Sequence, residues 1–445
     1  MGRRSGFMPI ETHNELFKPG HIKHTLLMAK KKNSIVIFLK KLGPGLITGA
    51  ADDDPSGIVT YSQAGAQFGL STLWTALLTF PLMATVQGMC ARIGIVTQKG
   101  LTGTLKQYYP RWLLVSIIII STPAIILNIG SDIAGMGAVA NLLAPAISPI
   151  YFSVAFTLIL VVCIIYWPYR RIVTVLKYLC LVMLVYLIVP FFAQADILSV
   201  LRHSIIPEFK MNKEFIGIIV AILGTTISPY LFFWQSTMEA EGARKKNSGT
   251  MIDKQLMNDV KKDVNTGMLF SNIVMYFIIL TTGTVLFNNG IHKIDTVEQA
   301  ANALKPVAGK LAYYLFALGV IGTGLLTIPV LCGSLSYIYS DSFGWKGNLD
   351  KPLKNAKSFY AVIIISLLLG LAINYLGISP IKALVYTAIL YGITAPVLIA
   401  LVIHIANNKV IMKKNVNTLK ANILGWIAFG IMSVAALFLL YVTIF

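Results

Sequence analysis

Three consecutive carboxylates, Asp52, Asp53 and Asp54, stand in the middle of an apolar run from about Gly43 to Gly69. An ionised carboxylate at membrane depth is costly and is kept where it meets a cation or a proton, so a functional site is the reading that these residues favour. Pro55 lacks a backbone N–H and clashes with the turn before it, and Gly57 tolerates almost any backbone conformation, so the helix is predicted to break beside the charges. A break at that depth frees main-chain carbonyls, which are tolerated only where they line a cavity or hold a ligand. Carboxylates next to free carbonyls form a cation site.

The elements that must position this site follow from the hydropathy of the chain. Its 445 residues are 56% hydrophobic and 12% charged with a mean hydropathy of +0.73, which places it among polytopic membrane proteins. Apolar segments fall at roughly 43–69, 71–96, 112–140, 148–168, 174–194, 215–237, 264–287, 309–338, 358–376, 380–404 and 421–444. Eleven transmembrane helices in an all-α integral membrane fold are therefore expected.

A second break is predicted in the sixth segment at Thr225-Thr226-Ile227-Ser228-Pro229-Tyr230, where Pro229 repeats the effect of Pro55. Two broken helices five segments apart imply two five-helix halves, and because five is odd the second half enters the membrane inverted. That is the architecture of an inverted-repeat secondary transporter, with its site at the midplane between spans one and six. The expected divisions are a basic cytoplasmic segment over 1–42, a first repeat over 43–194, a second over 215–404 and an additional helix over 421–444.

The net charge of +19 could suggest nucleic acid, but the basic residues alternate with the apolar segments and are not gathered on one face. Most of the 37 Lys and Arg fall before the first span and in every second loop after it. The other loops hold only Arg202, Lys210, Lys213, Lys293, Lys305, Lys310 and Lys382. This bias puts the N-terminus in the cytoplasm and the C-terminus outside a cell membrane crossed many times. Cys90, Cys163, Cys180 and Cys332 lie in or beside apolar segments without CxxC spacing, and read as small core residues. No signal peptide is visible in residues 1–42, and Met28 is an alternative start that would make 1–27 an extension.

Five motifs, Gly43-Pro44-Gly45, Asp54-Pro55-Ser56-Gly57, Gln63-Ala64-Gly65-Ala66-Gln67-Phe68-Gly69, Arg92-Ile93-Gly94-Ile95-Val96-Thr97 and the Ser228-Pro229-Tyr230 break, together resemble those of the Nramp divalent-metal transporters. The resemblance implies a LeuT-like 5+5 inverted repeat with helices 1 and 6 broken, and a transporter rather than an enzyme. It covers about residues 40–140 strongly and 225–236 clearly.

The departures from the family pattern bear on the cargo. The family carries Asp-Pro-Gly-Asn in the first break and Met-Pro-His in the sixth. Here its Asp is Asp54, its Asn position is Gly57, its Met position is Ser228, its His position is Tyr230 and a second His position is Gln235. A thioether favours softer metals, whereas carboxylate, hydroxyl, carbonyl and water suit magnesium and manganese. In the third span the carboxylate of the family pathway is Asp132, while the Glu three residues on is Gly135. The six histidines fall at segment ends or in loops, and no arginine follows Arg244, so little of a proton relay remains.

The pattern is closest to the magnesium-transporting, Nramp-related branch. The expected metal site is Asp54, with Ser228 and the Thr225 carbonyl from the sixth span and Asp53 acting with them. Asp52, Gly57, Tyr230 and Gln235 are expected around it, and Asp132 serves a proton or a structural role. The divalent ion, Mg2+ or Mn2+, is substrate, and no cofactor and no nucleic-acid partner are expected. An ordinary proton-coupled manganese and iron carrier is the alternative. A more distant one is a magnesium-dependent membrane prenyltransferase using Asp52–Asp54 with the stretch from Asp259 to Asp263, but contiguous Asp before Pro do not give the i, i+3 or i+4 spacing of a helical diphosphate site.

Overall fold

The computed structural model describes residues 43–168, 171, 181–193, 196–246 and 254–444. The basic segment 1–42 with both candidate start methionines, the first part of the predicted fifth span and part of the 244–262 loop lie outside the described residues. All regular structure among the described residues is helical.

The first span is two helices, α1 (Pro44–Asp52) and α2 (Pro55–Phe68). The chain continues through α3 (Trp74–Thr97), α4 (Gly100–Tyr108), α5 (Arg111–Leu143), α6 (Pro149–Tyr166) and α7 (Ile197–Ile205). The sixth span is again two helices, α8 (Lys213–Thr226) and α9 (Pro229–Lys246). After it come α10 (Lys254–Val285), α11 (Ala312–Phe343), α12 (Lys357–Ile373), α13 (Pro380–Asn407) and α14 (Leu419–Ile444). Among the described residues nine helices are long and apolar enough to cross a membrane, counting the sixth span as one, and the halves of the first span are each too short to be among them.

The two breaks share one construction. Asp53 ends α1 at φ −82°, ψ 58°, and Ile227 ends α8 at φ −110°, ψ 57°; in each case one residue, Asp54 or Ser228, then leads into a proline that opens the next helix. Proline fits the first helical position, where its missing N–H is no loss, but cannot continue the helix before it. Identical chemistry thus produces identical breaks five spans apart.

Packing repeats the same relation. The seventh-span helix α10 runs along both halves of the first span, and the second-span helix α3 runs along α9 of the sixth. Swapping span 1 with span 6 and span 2 with span 7 exchanges these two pairs. Burial separates the core from the rim: the most apolar stretch of the sixth span is 94% buried, whereas that of α6 is 22% buried and presents Tyr151, Leu158 and Val162 outward. An apolar rim of this kind is stable only against lipid.

Close approach of α1 to α10 depends on glycine. A Cβ at Gly49 would fall inside the carbonyl of Gly267, one at Gly267 inside the carbonyl of Gly45, and one at Gly45 would lie 2.6 Å from the Val264 nitrogen. The start of α1 is closed by α10 as well: the Asp263 carboxylate accepts from the Gly43 N–H at 2.8 Å and the Gly45 N–H at 2.7 Å. Asp263, considered above for a diphosphate site, instead satisfies the orphan amides of a helix N-terminus.

Candidate metal site

Asp54 caps α2. Its Oδ1 accepts from the Gly57 N–H at 2.6 Å and the Ser56 hydroxyl at 2.8 Å, and its Oδ2 accepts from Asn128 Nδ2 of α5 at 3.0 Å. A carboxylate at a helix N-terminus with three donors is held in charge and direction. The sixth span meets it through Thr225, whose hydroxyl is 3.5 Å from that of Ser56. A Cβ at Gly57 would come within 3.2 Å of the Thr225 hydroxyl and 3.4 Å of Asp54 Oδ1, so the glycine keeps open the space between the two breaks.

Ser228 occupies the place in the sixth break that Asp54 has in the first, yet acts in the opposite sense. Its hydroxyl donates to the Thr225 carbonyl at 2.6 Å, closing the end of α8. The carbonyl expected at the metal is therefore bonded to the hydroxyl expected beside it, and both oxygens remain adjacent with lone pairs to offer. Asp52 and Asp53 turn toward α10, where the Ser271 hydroxyl lies 2.7 Å from Asp52 Oδ2 and 3.1 Å from Asp53 Oδ1. One hydroxyl proton cannot satisfy two carboxylates, and Asp52 Oδ1 and Asp53 Oδ2 have no partner among the described residues.

Tyr230 donates to the Ala51 carbonyl at 2.8 Å, and Thr327 of α11 donates to the same oxygen at 3.1 Å. The carbonyl freed by the first break is thus held by two hydroxyls. Gln235 accepts from Thr48 of α1 and donates to Glu239 at 3.0 Å, which commits one end of its amide to the contact between α1 and α9 and the other to its own helix. Of the tenth-span threonines, Thr387 meets the Ser131 hydroxyl at 3.2 Å across to α5, while Thr394 bonds within its own helix.

Four carboxyl groups, Asp52, Asp53, Asp54 and Asp132, are at most 2% exposed, and among the described residues none takes part in an ion pair. Nor do three or more His, Cys, Asp or Glu side chains among them form a metal-binding group. A cation here would be held by one or two carboxylates, with hydroxyl, amide and main-chain oxygens or water completing its shell. Magnesium accepts that arrangement, since it gives up its water reluctantly. Sequence reasoning missed Asn128, Ser271 and Thr327; of these only Asn128 carried a signal, standing one turn before Asp132 on the same face of α5.

The sequence model described as natural resistance-associated macrophage protein-like matches residues 45–442, nearly the whole described chain. The chain belongs to the Nramp family. Its members are transporters, not enzymes, and the prenyltransferase reading falls with that. The divalent metal cation transporter MntH of Caldanaerobacter subterraneus subsp. tengcongensis is 24% identical over 92% of this chain and 94% of its own. That of Clostridium acetobutylicum is 26% identical over 95% and 96%. A manganese transporter of Eremococcus coleocola shares the fold with a TM-score of 0.71 at 18% identity, covering 90% of this chain and 86% of its own. A nucleobase-cation-symport-1 family transporter, Mhp1, in a closed conformation aligns at 0.56 and 14% identity over 90% and 92%. These neighbours bear out the LeuT-like fold of an Nramp protein.

Within this Nramp chain the place of the third-span Glu is crowded. A Cβ at Gly135 would lie 3.0 Å from Leu384 Cδ1 of α13, so an acid at this place of the family pattern would press on that side chain and require it to shift.

Proposed function

We propose that this Nramp protein moves hard divalent cations, Mg2+ and also Mn2+, across the cell membrane by alternating access with weak or no proton coupling. The observation that carries this reading is the oxygen character of the paired breaks: Asp54 beside Ser56 and Thr225, with a hydroxyl at 228 where the family pattern has a thioether. Asp54 binds the ion, Thr225 and Ser228 offer oxygens from the sixth span, and Asp53 adds charge. Asp52, Gly57, Tyr230 and Gln235 shape the surroundings and the joints of the two broken helices.

The chain crosses the bilayer eleven times in this reading, the broken first span and a fifth span near 174–194 joining the nine long helices. The N-terminus is cytoplasmic, and the repeats run over 43–194 and 215–404 with 421–444 added. The absence of an acid at 135 supports weak coupling, whereas the divalent metal cation transporters among the relatives fit the manganese and iron alternative equally well.

Uptake into proteoliposomes with an internal pH dye separates the two. Magnesium and manganese entry without acidification is expected. Manganese or iron entry with acidification and no magnesium flux would overturn the proposal. Two variants sharpen the assay. Ser228→Met, which supplies the softer donor, is expected to raise manganese over magnesium uptake by about tenfold. Gly135→Glu alone is expected to cost about 1–3 kcal/mol, read as a lower melting temperature, because it presses on Leu384 and buries an unpartnered acid. Proton movement should emerge only when Leu384→Ala is combined with it.

A further inference from the structure

We propose that Asp132, Asn128 and Tyr391 form a sodium site beside Asp54. Four oxygens of these side chains, both of Asp132, Oδ1 of Asn128 and the Tyr391 hydroxyl, are buried and lack a hydrogen bond of full geometry among the described residues, although the Ser56 N–H is turned toward Asp132 and the Asn128 amide toward Tyr391. The three residues are 0%, 0% and 1% exposed. A buried polar atom ordinarily has a full partner, and under-satisfied oxygens on two helices packed at one level point to a ligand that accepts lone pairs.

Their placement follows from the helices. Asn128 and Asp132 are four residues apart on α5 and share a face. The Ser131–Thr387 hydroxyl contact at 3.2 Å fixes α13 against α5 at this level, and Tyr391 stands one turn further along α13. Tyr391 faces the Asn128 amide and the carboxyls of Asp132 and Asp54. The Asn128 amide is oriented by its other end: Nδ2 is given to Asp54, which leaves Oδ1 for the second site.

The donor set selects the ion. One carboxylate with an amide and a phenol oxygen carries a single negative charge and only hard oxygen, which matches a monovalent cation. A divalent ion needs more charge or several retained waters, and the nearest further carboxylate, Asp54, is the one assigned to the divalent cargo. Asp54 and Asn128 join the two sites, so an ion at one changes the field at the other. Sodium is thereby placed to be coupled to the divalent cargo, one turn of α5 before Gly135, where the family pattern has a Glu.

Melting of the purified full chain in lipid nanodiscs tests the binding, with choline chloride replaced by sodium chloride at constant ionic strength. A saturable rise in melting temperature with sodium is expected for the wild type, and none for Asp132→Asn. Tyr391→Phe, which removes one ligand oxygen and little volume, should need about tenfold more sodium. No sodium effect beyond choline, or one that survives in Asp132→Asn and is unmoved in Tyr391→Phe, overturns the site. In proteoliposomes an inward sodium gradient should speed divalent uptake by the wild type, with 22Na+ entering; indifference to the gradient removes the coupling. The melting arm uses no divalent metal, so its failure and that of the divalent reading are seen separately.

Discussion

Asp54→Ala is expected to reduce magnesium and manganese uptake by about a hundredfold or more, equivalent to about 2.8 kcal/mol. The side chain does two things that the variant removes together. It supplies the negative charge at the joint of the broken helix, and it caps α2 through the Gly57 N–H. Loss of the cap alone costs about 1 kcal/mol of stability. Asp54→Asn separates the two roles, because asparagine caps a helix as well as aspartate but cannot neutralise a cation. It should therefore keep the melting temperature near that of the wild type while losing uptake to the same degree as the alanine variant. Uptake per folded molecule, with magnesium binding by calorimetry, reads this directly. Near-normal transport in Asp54→Asn would place the ion elsewhere, with Asp52 and Asp53 at Ser271 the next candidates.

The second large effect is expected far from any ligand atom. Gly49→Leu should abolish transport and most of the folded protein, because the new side chain must enter the backbone of α10 at Gly267. Backbone cannot move aside as a flexible side chain can, so the helices must separate, at a cost of about 3 kcal/mol or more. Separation would also draw the α1 N-terminus away from Asp263, leaving the Gly43 and Gly45 amides and a buried carboxylate unpaired. Gly88, whose Cβ position meets nothing, is the control: Gly88→Ala should be tolerated. Size-exclusion profiles of the two variants check the pair, and a monodisperse, active Gly49→Leu protein would show that the contact is not rigid.

Much of this molecule was legible in its sequence because the bilayer makes sequence patterns rigid. Apolar length gave the nine long helices among the described residues, and Pro55 and Pro229 gave both breaks, since a proline removes a donor and blocks a turn whatever surrounds it. The three contiguous Asp announced a site for a similar reason: no membrane interior tolerates them idly. Which oxygen faces which partner was not legible. Ser228 could be placed in the second break from its neighbours, but only the packed structure shows it donating to the Thr225 carbonyl. Gln235 could be expected around the ion, but only the packed structure shows it bonded to Thr48 at the joint of α1 and α9. Asn128, unremarkable in an apolar helix, became the link between Asp54 and Asp132 because α5 crosses the first break at that level. Local chemistry and depth are one-dimensional and were determined by the sequence by itself. The pairing of buried polar atoms depends on helices distant in the chain meeting at one height and one rotation, and only the tertiary structure decided it.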